Sequence, residues 1–424
     1  MRFARGRIFS ITGAATVCML AIAAAANLSA SASAQASSTA GRPAYADRRA
    51  STAGRVAQRP DIAPASQSGA EQGLVMAESH FKNIQVLKGM PVDTFIEAMG
   101  MFAASMGGDC TYCHSKDAVF NRDAFSVATP RIQRARQMIV MMRTINNNNF
   151  GGALKVTCFT CHRGSYVPET APRLALQYGT PDEDPNVMNF VPDTGASANQ
   201  ILDRYLEALG GAGRLAKLSS FTAKGTYSGF DTGFAEVPVE IFAKAPNQRT
   251  TVVHLDYGQN VRVFDGRSGW FAGPDSPAPL VTLTTGTLDL ARMEALVAFP
   301  TGIKQAFNQW VVGNSIIDDN DVQIVQGTSP GLLPVNLYFD KTGLLVRLVR
   351  WNQTAVGPVP TQIDYSDYRD VAGVGVKMPF TWTISQTYMQ MTIKVNEFQP
   401  NTPIDAGRFA RPAPAVPPAP AARR

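Results

Sequence analysis

Two periodicities divide the chain. Between positions 91 and 145 apolar residues recur at i, i+3, i+4 and i+7. Val92, Phe95, Ile96, Met99, Phe102, Ala103 and Met106 share one face of a predicted helix. Pro91 opens it, Thr94 and Glu97 carry the spacing of a capping box, and Gly107-Gly108 ends it. Phe81 to Leu87, just before, alternates as a short extended segment. Ile132, Ala135, Met138, Ile139, Met142 and Ile145 repeat the helical pattern. Thr129-Pro130 starts this second helix, because proline suits the first helical position, and Asn146 to Asn149 end it. A third helix is predicted over 199–209, with Ile201, Leu202, Tyr205, Leu206 and Leu209 on one face and Gly210-Gly211 as its stop.

Beyond that point the period falls to two. Strands are predicted at 237–243, 249–255, 261–264, 335–339, 344–351, 361–368, 380–385 and 389–398. One helical interruption runs over 288–310, broken at Pro300. The expected architecture is a small helical domain over 77–166, then an antiparallel β-rich half-barrel with packed helices over 198–400. The remaining stretches lack periodicity. Arg2, Arg5 and Arg7, an Ala-rich apolar stretch over 8–28 and Ala32-Ser33-Ala34 read as a signal peptide, 1–34. Cys18 lies within it; an uncleaved anchor is the alternative. Residues 35–76 read as a disordered linker, 167–197 as a linker or strap, and 401–424 as a disordered Pro/Ala-rich tail.

Apolar residues make up 45% of the chain and charged ones 17%, enough for real cores. A net charge of +6 with no recognition fold excludes a nucleic-acid binder. Arg131, Arg134, Arg136 and Arg143 cluster, which reads first as a solvated helix face.

Chemistry concentrates in Cys110-Thr-Tyr-Cys113-His114 and Cys158-Phe-Thr-Cys161-His162. In C-x-x-C-H two thiols add across the vinyl groups of one haem, and the next residue offers an imidazole to the iron. The cofactors expected are therefore two covalently bound haem c, held by Cys110, Cys113, Cys158 and Cys161 with His114 and His162 on iron. Export would otherwise favour disulfides, but a His after each pair speaks against them, and no second half-site for zinc is present. A Met in the sixth position would suit electron transfer, and an open position would invite oxygen chemistry. Met99, Met101 and Met106 precede the first motif; Met138, Met141 and Met142 precede the second. Such a stripe also reads as core filler, so spacing leaves the choice open. His80 and His254 read as structural.

Residues 79–166 resemble the haem-binding cytochrome subunit of photosynthetic reaction centres and the related dihaem domains of non-photosynthetic bacteria. The matching stretches are Phe81-Lys-Asn-Ile-Gln-Val-Leu87, the helix around Phe95 to Met99, Ala135-Arg-Gln-Met-Ile139, Ile145-Asn146 and Val156-Thr-Cys-Phe-Thr-Cys-His-Arg-Gly164. The resemblance implies a Met on the preceding helix as sixth ligand, which points to Met99 for the first haem and Met138 for the second. It implies an extracytoplasmic, periplasmic electron carrier rather than an enzyme, with a redox protein or membrane-bound electron-transfer complex as partner. The chain departs from that family in having two motifs rather than four, which argues against direct service to a reaction centre. A dihaem peroxidase and a redox-sensing lipid- or partner-binding protein are the other readings. Tyr205-Leu-Glu-Ala-Leu-Gly-Gly211 and Asp364-Tyr-Ser-Asp-Tyr-Arg369 look like periplasmic lipoprotein-carrier half-barrels. That likeness implies room for an apolar ligand; a plain packed core is the alternative.

Overall fold

The computed structural model describes residues 74–168, 170–171 and 195–418. The signal peptide and nearly all of the linker and strap lie outside the described residues.

Thirteen strands form one antiparallel sheet: β1 Ser220–Gly229, β2 Val237–Lys244, β3 Gln248–Leu255, β4 Gly258–Phe264, β5 Gly269–Ala272, β6 Val281–Thr282, β7 Gln309–Ile317, β8 Asn320–Thr328, β9 Val335–Phe339, β10 Leu345–Thr354, β11 Gly357–Val371, β12 Val376–Gln386 and β13 Gln390–Pro400. The spatial order is β6-β5-β4-β3-β2-β1-β13-β12-β11-β10-β9-β8-β7, two meanders joined where β1 pairs with β13. All eight expected strands are present. β1 and β5 to β8 were not expected. The expected helix over 288–310 is shorter: it spans Thr285–Ala298, a 3-10 turn follows at Pro300–Gln305, and Trp310 belongs to β7. Proline removes a helical donor and blocks the preceding turn, which ends the helix there.

The helices that matter for the site and the core are α1 Val92–Met106, α2 Pro130–Phe150, α3 Cys158–His162, α4 Ala198–Ala208 and α5 Thr285–Ala298. α4 starts at a capping box in which Ser197 and Gln200 satisfy each other's backbone N–H groups. Its Ile201, Leu202, Tyr205 and Leu206 are buried, each worth roughly 1.5–3 kcal/mol of transfer free energy. Together with Leu290, Met293 and Val297 of α5 they fill one face of the sheet. A cavity of about 30 Å³ lies in that core beside Phe221 and Trp382. Tyr227, Val253, Leu290, Ile384 and Ile393 of the same core border a much larger one, of about 1310 Å³. Residues 401–418 are also ordered against the sheet: Phe409 is buried, Arg408 stacks on Phe242, and Ala415 N donates to Pro279 O. The tail therefore does not begin at 401.

α1 carries two buried faces where one was expected. Its apolar face was legible. Its other face holds Asp93, Glu97, Gly100 and Met101, all buried against the sheet and α5. Asp93 accepts from Thr284 N at 2.6 Å and Thr284 Oγ1 at 2.8 Å, and from Thr287 Oγ1. Burial pushes its carboxyl above the usual range, against the pull of those donors. Arg350 Nη2 of β10 donates to Glu97 at 2.6 Å, and Asn352 Nδ2 donates to its other oxygen. Glu97 therefore does not close a capping box with Thr94; the helix starts at Pro91 without a side-chain cap. At Gly100 the backbone meets the β12–β13 turn, where an added Cβ would overlap Thr387 Oγ1 and lie 2.7 Å from Tyr388 Cδ1. Gly100→Val is expected to lower stability by about 1–3 kcal/mol, the usual range for overpacking, measured by urea unfolding.

Candidate cofactor site

Each motif is held by its own local chemistry. Gly107 ends α1 in the left-handed conformation, at φ 66°, and packs directly on the Gly164 carbonyl that follows the second motif. Asp109 then caps a 3-10 turn, Cys110–Tyr112, accepting from Thr111 N at 2.8 Å and Thr111 Oγ1 at 2.6 Å. Thr129, the N-cap of α2, donates to Cys113 O at 3.1 Å. Arg131 donates to Tyr112 O at 2.5 Å, with its guanidinium 4.1 Å from the Tyr112 ring centroid. One member of the expected solvated cluster thus braces the first motif.

The second motif is a helical turn. Thr157 and Thr160 cap it reciprocally. Asn146 of α2 aims the approach: its Nδ2 donates to Val156 O at 2.8 Å, and its Oδ1 accepts from Val156 N at 2.9 Å and Lys155 N at 3.1 Å. His162 Nδ1 lies 3.1 Å from Ser165 O. A carbonyl only accepts, so Nδ1 carries the proton and Nε2 is left with its lone pair free for a metal. His114 stands edge-on to Phe125, with centroids 5.2 Å apart, and its Nδ1 is buried without a hydrogen bond of acceptable geometry among the described residues. Burial lowers its proton affinity, with the Phe125 backbone acting in the opposite sense.

The four cysteines are free thiols. Burial is the main reason the Cys158 thiol is pushed up to about 11, so it stays neutral near pH 7. All four, with His114 and His162, border one cavity of about 1310 Å³. Met99, Met106, Met138, Met141 and Met142 line it too, whereas Met101 points the other way, onto Gly357 at the β10–β11 turn. α1 packs against both motif segments, and α2 against the second. Each motif follows a helix of its own, and α1 borders the second motif as well as the first.

The opposite wall comes from the sheet. Tyr227, Tyr257, Arg262, Arg350, Ile384 and Tyr388 face the same space. Tyr227 Oη donates to Asp231 at 2.7 Å, and burial holds the Asp231 carboxyl above its usual range. None of these residues was marked by the sequence, because nothing local distinguishes a strand residue that faces a distant helix. His80 lines the cavity, and burial, then Arg122, lower its proton affinity. His254 lies on β3, within reach of Glu240 and Gln259 at 3.2 Å each, in a structural role.

These features fit haem c. The thiols are unpaired, both imidazoles have a nitrogen to offer, and the space exceeds the roughly 300–1,000 Å³ of an ordinary small-molecule pocket.

Residues 35–186 match the family model of the photosynthetic reaction centre cytochrome C subunit. Two curated relatives agree. The photosynthetic reaction center cytochrome c subunit of Roseobacter denitrificans is 34% identical over 106 residues, covering 23% of this chain and 28% of that protein. That of Rubrivivax gelatinosus is 30% identical over 92 residues, covering 18% and 24% respectively. The chain thus spans about a quarter of the length of these relatives. Among solved structures, a LolA superfamily protein from Nitrosomonas europaea matches at 12% identity and TM-score 0.35, over 51% of this chain and 98% of its own. An outer membrane lipoprotein-sorting protein domain from Vibrio parahaemolyticus matches at 9% identity and TM-score 0.34, over 49% and 97%. No helix among the described residues is long and apolar enough to cross a membrane.

Asn146→Ala removes a side chain that satisfies three backbone groups beside Cys158. A loss of about 1–3 kcal/mol in urea unfolding is expected, the usual cost of stranded polar groups. The haem retained per chain should fall with it, measured by pyridine haemochrome.

Proposed function

We propose that the protein is an extracytoplasmic dihaem c-type cytochrome that carries electrons to or from a redox protein or a membrane-bound electron-transfer complex. One observation carries this reading. Two C-x-x-C-H segments present four free thiols and two imidazoles to a single, largely apolar-walled cavity, with methionines on its helical side. When bound there, haem supplies one-electron Fe(III)/Fe(II) chemistry. The chain's residues do the rest. Cys110 and Cys113, and Cys158 and Cys161, anchor one group each. His114 and His162 supply the proximal imidazoles, and the Ser165 carbonyl fixes the tautomer of His162. Met99 and Met138, each half-buried in the cavity wall, would complete the iron coordination when haem is bound. The signal peptide provides the route out of the cytoplasm, where covalent attachment prevents loss of the group. The match of residues 35–186 to cytochrome c subunits supports the haem chemistry.

Two haems per chain are expected by pyridine haemochrome, and one after Cys158→Ala with Cys161→Ala. One haem in the unaltered chain would refute the dihaem reading. Met99→Ala with Met138→Ala should abolish the weak long-wavelength band of His/Met ferric haem and open the iron to added ligands. A band that persists in the double variant would exclude these two residues. Rapid peroxide turnover by the unaltered protein would favour an enzyme instead.

A further inference from the structure

The buried Arg350 has more donors than its known contacts use. Its side chain is 1% exposed, and Nη2 is committed to Glu97 at 2.6 Å. Nε and Nη1 have no partner among the described residues. A buried guanidinium N–H without an acceptor is costly, and native interiors rarely leave one. Arg350 lines the large cavity beside Arg262 of β4. Arg262 Nε lies 3.4 Å from Glu294 Oε2, and its Nη2 donates to Thr287 O at 3.4 Å. Tyr388, in the β12–β13 turn, lines the same cavity. The unpartnered Nε and Nη1 of Arg350 mark a place on this wall where an acceptor belongs.

A haem attached through its vinyl groups still carries two carboxylate arms, on the opposite edge of the macrocycle. Their partners are expected on the wall that faces the cysteines, not on the segment that bears them. We propose that Arg350, assisted by Arg262, is the binding point for a carboxylate arm of one of the two haems. The sheet then positions a cofactor that the helical segment anchors. This rests on the haem reading above. Guanidinium donors suit a carboxylate in both charge and geometry. Glu97 holds the same guanidinium from the helix side, so one arginine would tie together helix, sheet and cofactor.

The test uses the haem-loaded full chain and begins with the haem count. Cys110→Ala with Cys113→Ala should lose one haem per chain. If it does not, the cofactor reading fails and the proposal with it. With the count as expected, midpoint potentials are measured between about pH 4 and pH 8, a range that brackets carboxylate ionisation. Glu97→Gln keeps the arginine and removes the competing carboxylate; its potential–pH curve should bend at the unaltered protein's pH or lower. Glu97→Gln with Arg350→Met leaves no unpaired charge at the seam, and the bend of one haem should rise by about 1–3 pH units, as expected when an acid loses an adjacent cation. Coincident curves for these two variants would overturn the proposal while leaving the haem reading intact. Should the double variant not fold, Arg350→Lys keeps the charge but lacks the Nε and Nη1 donors. The propionate bending band in its resonance Raman spectrum should then shift, and an unmoved band would overturn the assignment equally.

Discussion

A buried polar seam between α1 and the sheet governs the rest of the molecule. Asp93 is received by Thr284 and Thr287, and Glu97 by Arg350 and Asn352. Burying six charged or polar residues is expensive unless each finds its partner, so the seam is stable in one register only. A hydrophobic face alone would let the helix slide or roll at little cost. These contacts fix where α1 lies, and α1 in turn places both motif segments. Gly100 and Gly107 serve the same end by allowing backbone contact with the β12–β13 turn and with Gly164.

That placement gives the cavity its composite character. The anchoring thiols and imidazoles come from the helical segment, while much of the facing wall comes from strands far along the chain. The similarity to cytochrome subunits stops near residue 186, so the family match accounts for the anchors and not for the wall opposite. Tyr227, Val253, Leu290, Ile384 and Ile393 of the core built on the sheet border that cavity as well. The sheet therefore supplies one wall of the space that both motifs border.

Local patterns carried a good deal of this. The helix at 92–106 follows from its apolar spacing and terminal glycines, and α2 from Thr129-Pro130. Eight strands follow from alternation. The strands that escaped notice are those with mixed patterns, such as β1, whose Lys224 and Gly225 interrupt the alternation at a bulge. The spacing of Thr94 and Glu97 misled for a related reason. A capping box and a pair of buried polar residues look identical until the neighbouring surface is known.

The sequence by itself determined which thiols and imidazoles stand together, because C-x-x-C-H is a short motif whose reactive groups sit side by side along the chain. It also determined the helices on which candidate methionines lie. Only the tertiary structure decided which methionines face the cavity, that α1 borders both motifs, and that Arg350 and Arg262 share the same wall. Those relations join residues far apart along the chain. They arise from the register of the antiparallel sheet and the pairing of its buried polar groups, which no local periodicity encodes.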